Sequence, residues 1–129
     1  MELQTGLKNS IAQVVTEKDT ALAVGSGSLK VLATPVLIAL VEKAAAELAE
    51  KNLPPELTSV GISVNFEHTA PTPVGMKFSA EVEIAEVAGR KIIFDVATFD
   101  DGGEIGRGRH ERFIVNREKF QTKADSKNS

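Results

Sequence analysis

One stretch constrains the fold of this chain more than any other. From about Pro35 to Asn52 apolar side chains recur at helical spacing, Thr34-Pro35 marks the start and Pro54-Pro55 the stop. Thr34 reads as the N-cap and Pro35 as the first helical residue. From residue 56 onward the period changes from 3.6 to 2. Strands are predicted over Thr58–Thr69, Met76–Val87, Lys91–Asp100 and Glu104–Asn116, separated by Pro71-Thr72-Pro73-Val74-Gly75, Ala88-Gly89-Arg90 and Asp101-Gly102-Gly103. Before the helix, residues 11–24 read as a bent strand or a hairpin, and Gly25–Lys30 as a flexible connection. One long helix followed by four antiparallel strands is most simply packed as two layers, the helix lying across one face of a curved sheet: an α+β fold. The expected domain spans residues 1–120, with residues 121–129 a disordered polar tail. A sheet covered on one side leaves an edge strand and some apolar surface open, which predicts a homodimer.

Composition narrows the chemistry. The 129 residues include no cysteine, tryptophan or tyrosine, and histidine occurs only at 68 and 110. Thiol nucleophiles, disulfides, cysteine-bound metals and tyrosine acids are therefore excluded. Fifteen basic and 18 acidic side chains leave a net charge of −3, with no basic patch of the kind nucleic acid requires. No apolar run reaches the ~20 residues of a membrane span, and Met1–Ser10 lacks the apolar stretch of a secretory signal. A soluble, cytoplasmic protein is expected. Gly25-Ser26-Gly27-Ser28 lacks the rest of a nucleotide loop, and His110-Glu111 has no metal-ligand spacing, so no metal site is predicted.

Placing residues on faces singles out a few of them. At ~100° per residue, Lys43, Glu47, Glu50 and Lys51 form the solvated stripe of the helix. Glu42 lies apart from them among Ile38, Ala46 and Ala49, where it is either a flank residue reaching water or an acid held for a purpose. In the next strand Ile62, Val64, Phe66 and His68 share the apolar parity, which faces the helix. A histidine there is more often structural than catalytic, but a carboxylate oriented on an imidazole is the elementary unit of acid–base chemistry. The last strand alternates glycine with arginine. Gly106, Gly108, His110 and Arg112 share one parity, consistent either with a glycine-floored groove ending in an arginine or with a charged edge that prevents aggregation.

The runs Leu32-Ala33-Thr34-Pro35-Val36-Leu37-Ile38-Ala39-Leu40-Val41-Glu42, Ser59-Val60-Gly61-Ile62, His68-Thr69-Ala70-Pro71-Thr72-Pro73-Val74-Gly75 and Gly106-Arg107-Gly108-Arg109-His110-Glu111-Arg112 together resemble the hot-dog-fold thioesterases of the fluoroacetyl-CoA thioesterase-like branch. The resemblance runs in order over about residues 11–116. It implies a hot-dog fold and hydrolysis of an acyl-CoA thioester, with Thr34, Glu42 and His68 as the catalytic group. It further implies that Gly61 offers a backbone donor near the thioester carbonyl and that Arg112 helps hold the substrate or its coenzyme A portion. No cofactor is implied, coenzyme A being part of the substrate; the expected partners are the acyl-CoA and a second copy of the chain, as a dimer or a dimer of dimers. Thr34 and Glu42 stand ~12 Å apart along an ideal helix. Either Thr34 folds back in a loop, or the site is shared across a dimer interface. Residues 25–31 carry no aromatic side chain to close over a very small acyl group, so a short or medium acyl-CoA, or an aryl-CoA, is expected rather than fluoroacetyl-CoA alone. A non-catalytic acyl-CoA binding or sensing domain on the same fold is the alternative.

Overall fold

The computed structural model describes residues 2–128. Its elements are β1 (Lys8–Val14), a 3₁₀ turn (Glu17–Asp19), α1 (Ala21–Val24), α2 (Thr34–Lys51), β2 (Leu57–His68), β3 (Lys77–Ala88), β4 (Lys91–Asp100), β5 (Gly103–Asn116) and α3 (Arg117–Asp125). The five strands form one antiparallel sheet in the order β1-β3-β4-β5-β2, so β1 and β2 are its edges.

Helix α2 buries Leu37, Leu40, Val41, Ala44, Ala45, Leu48 and Ala49, a stripe at three- and four-residue spacing. That stripe packs with Phe78, Ala80, Val82, Ile84, Ile92, Phe94 and Val96 of β3 and β4 into the core. Asn9 Nδ2 on β1 donates to the Ala44 carbonyl at 3.0 Å, tying the far edge to the helix. The helix ends where Asn52 caps it: its backbone N–H reaches the Ala49 carbonyl and its side chain the Leu48 carbonyl at 2.8 Å. Pro54 and Pro55 then prevent continuation.

The α+β hot-dog architecture matches the expected fold class, with four differences of detail. Ala33, not Thr34, is the N-cap, which leaves the Thr34 hydroxyl at the first helical position free for another partner. Residues 11–24 form the end of β1, a turn and one helical turn instead of a bent strand or a hairpin. Asp19 accepts from the Thr16 N–H and hydroxyl at 2.8 and 2.9 Å, and Thr20 Oγ1 accepts from the Ala23 N–H, so these polar residues cap short helices rather than bridge strands. The register of β2 on β5 shifts between Gly61 and Ser63, and on this edge strand Ile62 and Val64, predicted to face the helix, are 50% and 38% exposed. Beyond Asn116, whose side chain caps the Lys119 N–H at 2.9 Å, residues 117–125 are helical and 126–128 form a 3₁₀ turn, so helix continues past residue 120, from which the polar tail was expected to begin.

Candidate active site

The five residues singled out above fall into two groups along the β2–α2 contact. Thr34 and His68 form the first. The Thr34 hydroxyl lies 2.8 Å from His68 Nδ1, at the start of α2 and the end of β2. They line a cleft of about 340 Å³ together with Ala21, Ser26, Val31 and Leu32. Backbone bonds hold its walls. Leu32 N–H donates to the Thr72 carbonyl at 2.9 Å, and Thr69 N–H to the Ile105 carbonyl at 2.8 Å. The Thr72 hydroxyl, wholly buried, donates to Asp100 Oδ2 at 2.7 Å and anchors the loop between them. Thr72 and Asp100 were not singled out in the sequence, and only the folded loop reveals their part.

His68 Nε2 is buried without a hydrogen-bond partner. Burial lowers the His68 pKa from its ordinary 6.5, the neighbouring Ala70 backbone offsetting part of that effect. If the Thr34 hydroxyl donates to Nδ1, the proton of a neutral His68 ring sits on Nε2, the atom without a hydrogen-bond partner among the described residues.

The second group gathers Glu42, Gly61, His110 and Arg112. A Cβ at Gly61 would lie 2.7 Å from Glu42 Oε2, 3.2 Å from His110 Cε1 and 3.3 Å from Arg112 Nη1, so only glycine lets the three side chains converge there. Glu42 is half-buried and makes no hydrogen bond or ion pair among the described residues. Arg112 is buried, and its guanidinium donates to Ser59 Oγ at 2.8 Å, the Ser59 carbonyl at 3.0 Å and His110 Nε2 at 3.1 Å. Burial works against the Arg112 charge, and the Glu42 and Glu50 carboxylates offset it. Glu42 and His68 are therefore not joined within one chain. Nor is the glycine alternation of β5 an open groove: the Phe66 ring lies over Gly106, and the Asn65 and Phe66 backbone presses on Gly108.

Larger concavities of about 530 and 830 Å³ lie on the outer face of the sheet. Their arginines are paired, Arg109 with Asp95 at 3.1 Å and Arg107 with Glu104 at 2.6 Å, and they hold neither histidine. Among the described residues no cluster of three or more His, Asp or Glu side chains is placed to hold a metal ion. No helix is long and apolar enough to cross a membrane.

Comparison with known proteins supplies a context for this geometry. The family described as fluoroacetyl-CoA-specific thioesterase (FlK) matches residues 15–118. The fluoroacetyl-CoA thioesterase of Streptantibioticus cattleyicolor is 35% identical over 98 residues, covering 76% of this chain and 70% of that protein. A solved structure of FlK superposes with a TM-score of 0.92 at 28% identity, over 98% of both chains. A hot-dog-like protein from Thermanaerovibrio acidaminovorans shares the fold, with a TM-score of 0.88 at 19% identity over 97% of this chain and 93% of that one.

Proposed function

The chain belongs to the fluoroacetyl-CoA-specific thioesterase family, and from that premise we propose how its residues carry out acyl-CoA thioester hydrolysis. The 2.8 Å contact between Thr34 and His68 Nδ1 carries the reading. The Thr34 hydroxyl donates to a neutral imidazole, which draws off a proton as oxygen attacks the thioester carbon, whether that oxygen belongs to Thr34 or to a water held by it. The carbon–sulfur bond then breaks, and the imidazolium returns its proton to the departing coenzyme A thiolate; where Thr34 itself attacks, a water deprotonated by the same ring then cleaves the acyl-threonine ester, releasing the acid and restoring the Thr34 hydroxyl. A carboxylate on Nε2–H would hold the ring in this tautomer and stabilise its positive form.

Glu42 makes no hydrogen bond or ion pair among the described residues, and it stands about 12 Å along α2 from Thr34. A shared site reconciles the two. The outer edge of β2 is open, and it presents Ile62 and Val64, 50% and 38% exposed. Antiparallel pairing of β2 with a second copy lays the His68 end of one strand against the Gly61 end of the other. The partner's Glu42 then meets the orphaned Nε2, and the partner's Gly61 backbone lies near the developing oxyanion. Burial of Arg112 favours a role in placing Glu42 and Gly61 over direct contact with coenzyme A.

The acyl group in this reading is short, medium or aryl. Residues 25–31 carry no aromatic side chain, and Ala21 and Ser26 are the small residues on that side of the cleft. The protein is a cytoplasmic homodimer that uses no cofactor beyond the coenzyme A of its substrate.

Free-thiol release from a panel of acyl-CoAs tests the activity, with Glu42→Ala and His68→Ala as controls. Equal inertness of wild type and both variants across the panel sinks the reading. Mixing the two inactive variants tests the shared site: hybrid dimers restore one intact site and up to a quarter of wild-type activity, whereas no recovery places the whole site in one chain.

A further inference from the structure

His110 is fully buried, stacked on Phe94 with ring centroids 6.0 Å apart and planes at 23°, and the reaction described above does not use it. Its two nitrogens are nevertheless both engaged. Arginine can only donate, so His110 Nε2, 3.1 Å from Arg112 Nη1, must present its lone pair. The ring proton is therefore on Nδ1, which donates to the Ser63 carbonyl at 2.9 Å. The same Arg112 guanidinium donates through Nε and Nη2 to Ser59. Ser59 and Ser63 lie on either side of the β2 bulge, with Gly61 between them. Arg112 grips the strand before the bulge, His110 grips it after, and the two are bonded to each other.

We propose that His110 is a positioning residue of this hydrolase: as the neutral Nδ1–H tautomer it closes a clamp with Arg112 around the β2 bulge and so sets where Gly61 lies against the Glu42 carboxylate. The inference rests on the reading that Glu42 and Gly61 belong to the active site. Strand bulges re-aim a chain locally, and an extra residue held by no partner is free to slip. Here the partner is supplied by side chains from the neighbouring strand. The charged groups facing the ring are Arg112 and Glu111 on β5 and Glu42 on α2. Burial, the largest influence, and the Arg112 charge both favour the neutral ring, while the Ser63 carbonyl and the two carboxylates oppose them; the balance lowers the His110 pKa.

The test uses the full chain and the acyl-CoA that wild type hydrolyses fastest. In wild type, long-range ¹H–¹⁵N spectra of the imidazoles should show His110 protonated on Nδ1 and not on Nε2. His110→Leu should lower kcat roughly ten- to a hundredfold with KM little changed, as a displaced catalytic group does. His110→Gln, which keeps an acceptor for Arg112, and His110→Asn, which keeps a donor for Ser63, should each recover part of that loss. A proton on Nε2 overturns the proposal. So does a folded leucine variant with wild-type kcat; if that variant does not fold, wild-type kcat in both the glutamine and asparagine variants overturns it equally. Glu42→Ala separates the two levels of inference. Loss of activity there with fully active His110 variants removes only the positioning role, while full activity in Glu42→Ala removes the site reading and the clamp with it.

Discussion

His68 and His110 are both held below the ordinary histidine pKa of 6.5, chiefly by burial. For His68 this has a catalytic consequence, because Nδ1 must be unprotonated to accept from Thr34. As pH falls, kcat/KM should stay level through the usual histidine range and decline only below it. A pH–rate profile on one acyl-CoA checks this, and an acid limb at or above pH 6.5 would contradict it. The same shifts govern stability. Unfolded histidines take up protons near 6.5 while the folded ones remain neutral to lower pH, so between those values the unfolded state binds more protons. Stability is fully present above about pH 6.5 and is lost as pH falls from there toward the folded values. Thermal midpoints measured across that window should drop, and should drop less in His110→Gln, which removes one of the two contributing groups.

At the scale of elements, the glycines facing α2 and β2 separate function from folding. At Gly61 the nearest atom to an added Cβ is the mobile end of Glu42, whereas at Gly108 the added carbon meets the Asn65 carbonyl and Phe66 Cα. Gly61→Ala should therefore displace the carboxylate and lower kcat, with a modest change in unfolding free energy. Gly108→Ala should cost about 3 kcal/mol or more by forcing two strands apart. Denaturant unfolding beside kinetics on both variants distinguishes the two effects. The elements themselves were largely legible in the sequence. Lys91–Asp100 emerged with its predicted bounds, and the other three late strands within a residue or so, because alternation and Gly/Pro turns are local signals. The bulge was not legible. Gly61 is the one local hint in Val60-Gly61-Ile62-Ser63, and a strand glycine signals close backbone approach as readily as a bulge, yet the shift leaves Gly61 opposite Arg112 and Ile62 without a partner on β5. Thr34 was misread for a related reason: Thr-Pro is a good cap pattern, but Ala33 already supplies the extended residue and the hydroxyl turns to His68 instead.

For the whole molecule, the proposed shared site depends on pairing of the open β2 edge with a second copy. Ile62→Lys with Val64→Lys places two charges on that edge, where lysine opposes strand pairing. The double variant should sediment as a monomer, keep its helical and strand content, and lose most thioesterase activity together with its dimer. An active monomer would return both half-sites to a single chain. Removing the exposed Arg109–Asp95 pair on the outer face, by contrast, should change stability by no more than about 1 kcal/mol, since both side chains are more than half exposed.

The two layers, the single long helix, the turn positions and a short inventory of reactive groups all follow from periodicity and counting along the chain. Its resemblance to a thioesterase family pointed to Thr34, Glu42 and His68. Their grouping emerges with the packed fold: Thr34 with His68, and Glu42 with Gly61, His110 and Arg112. The reason is physical. Helix and strand faces are set by neighbours three or two residues away, but a side chain's partner is set by the register of strands distant in sequence, and one bulged residue is enough to change it.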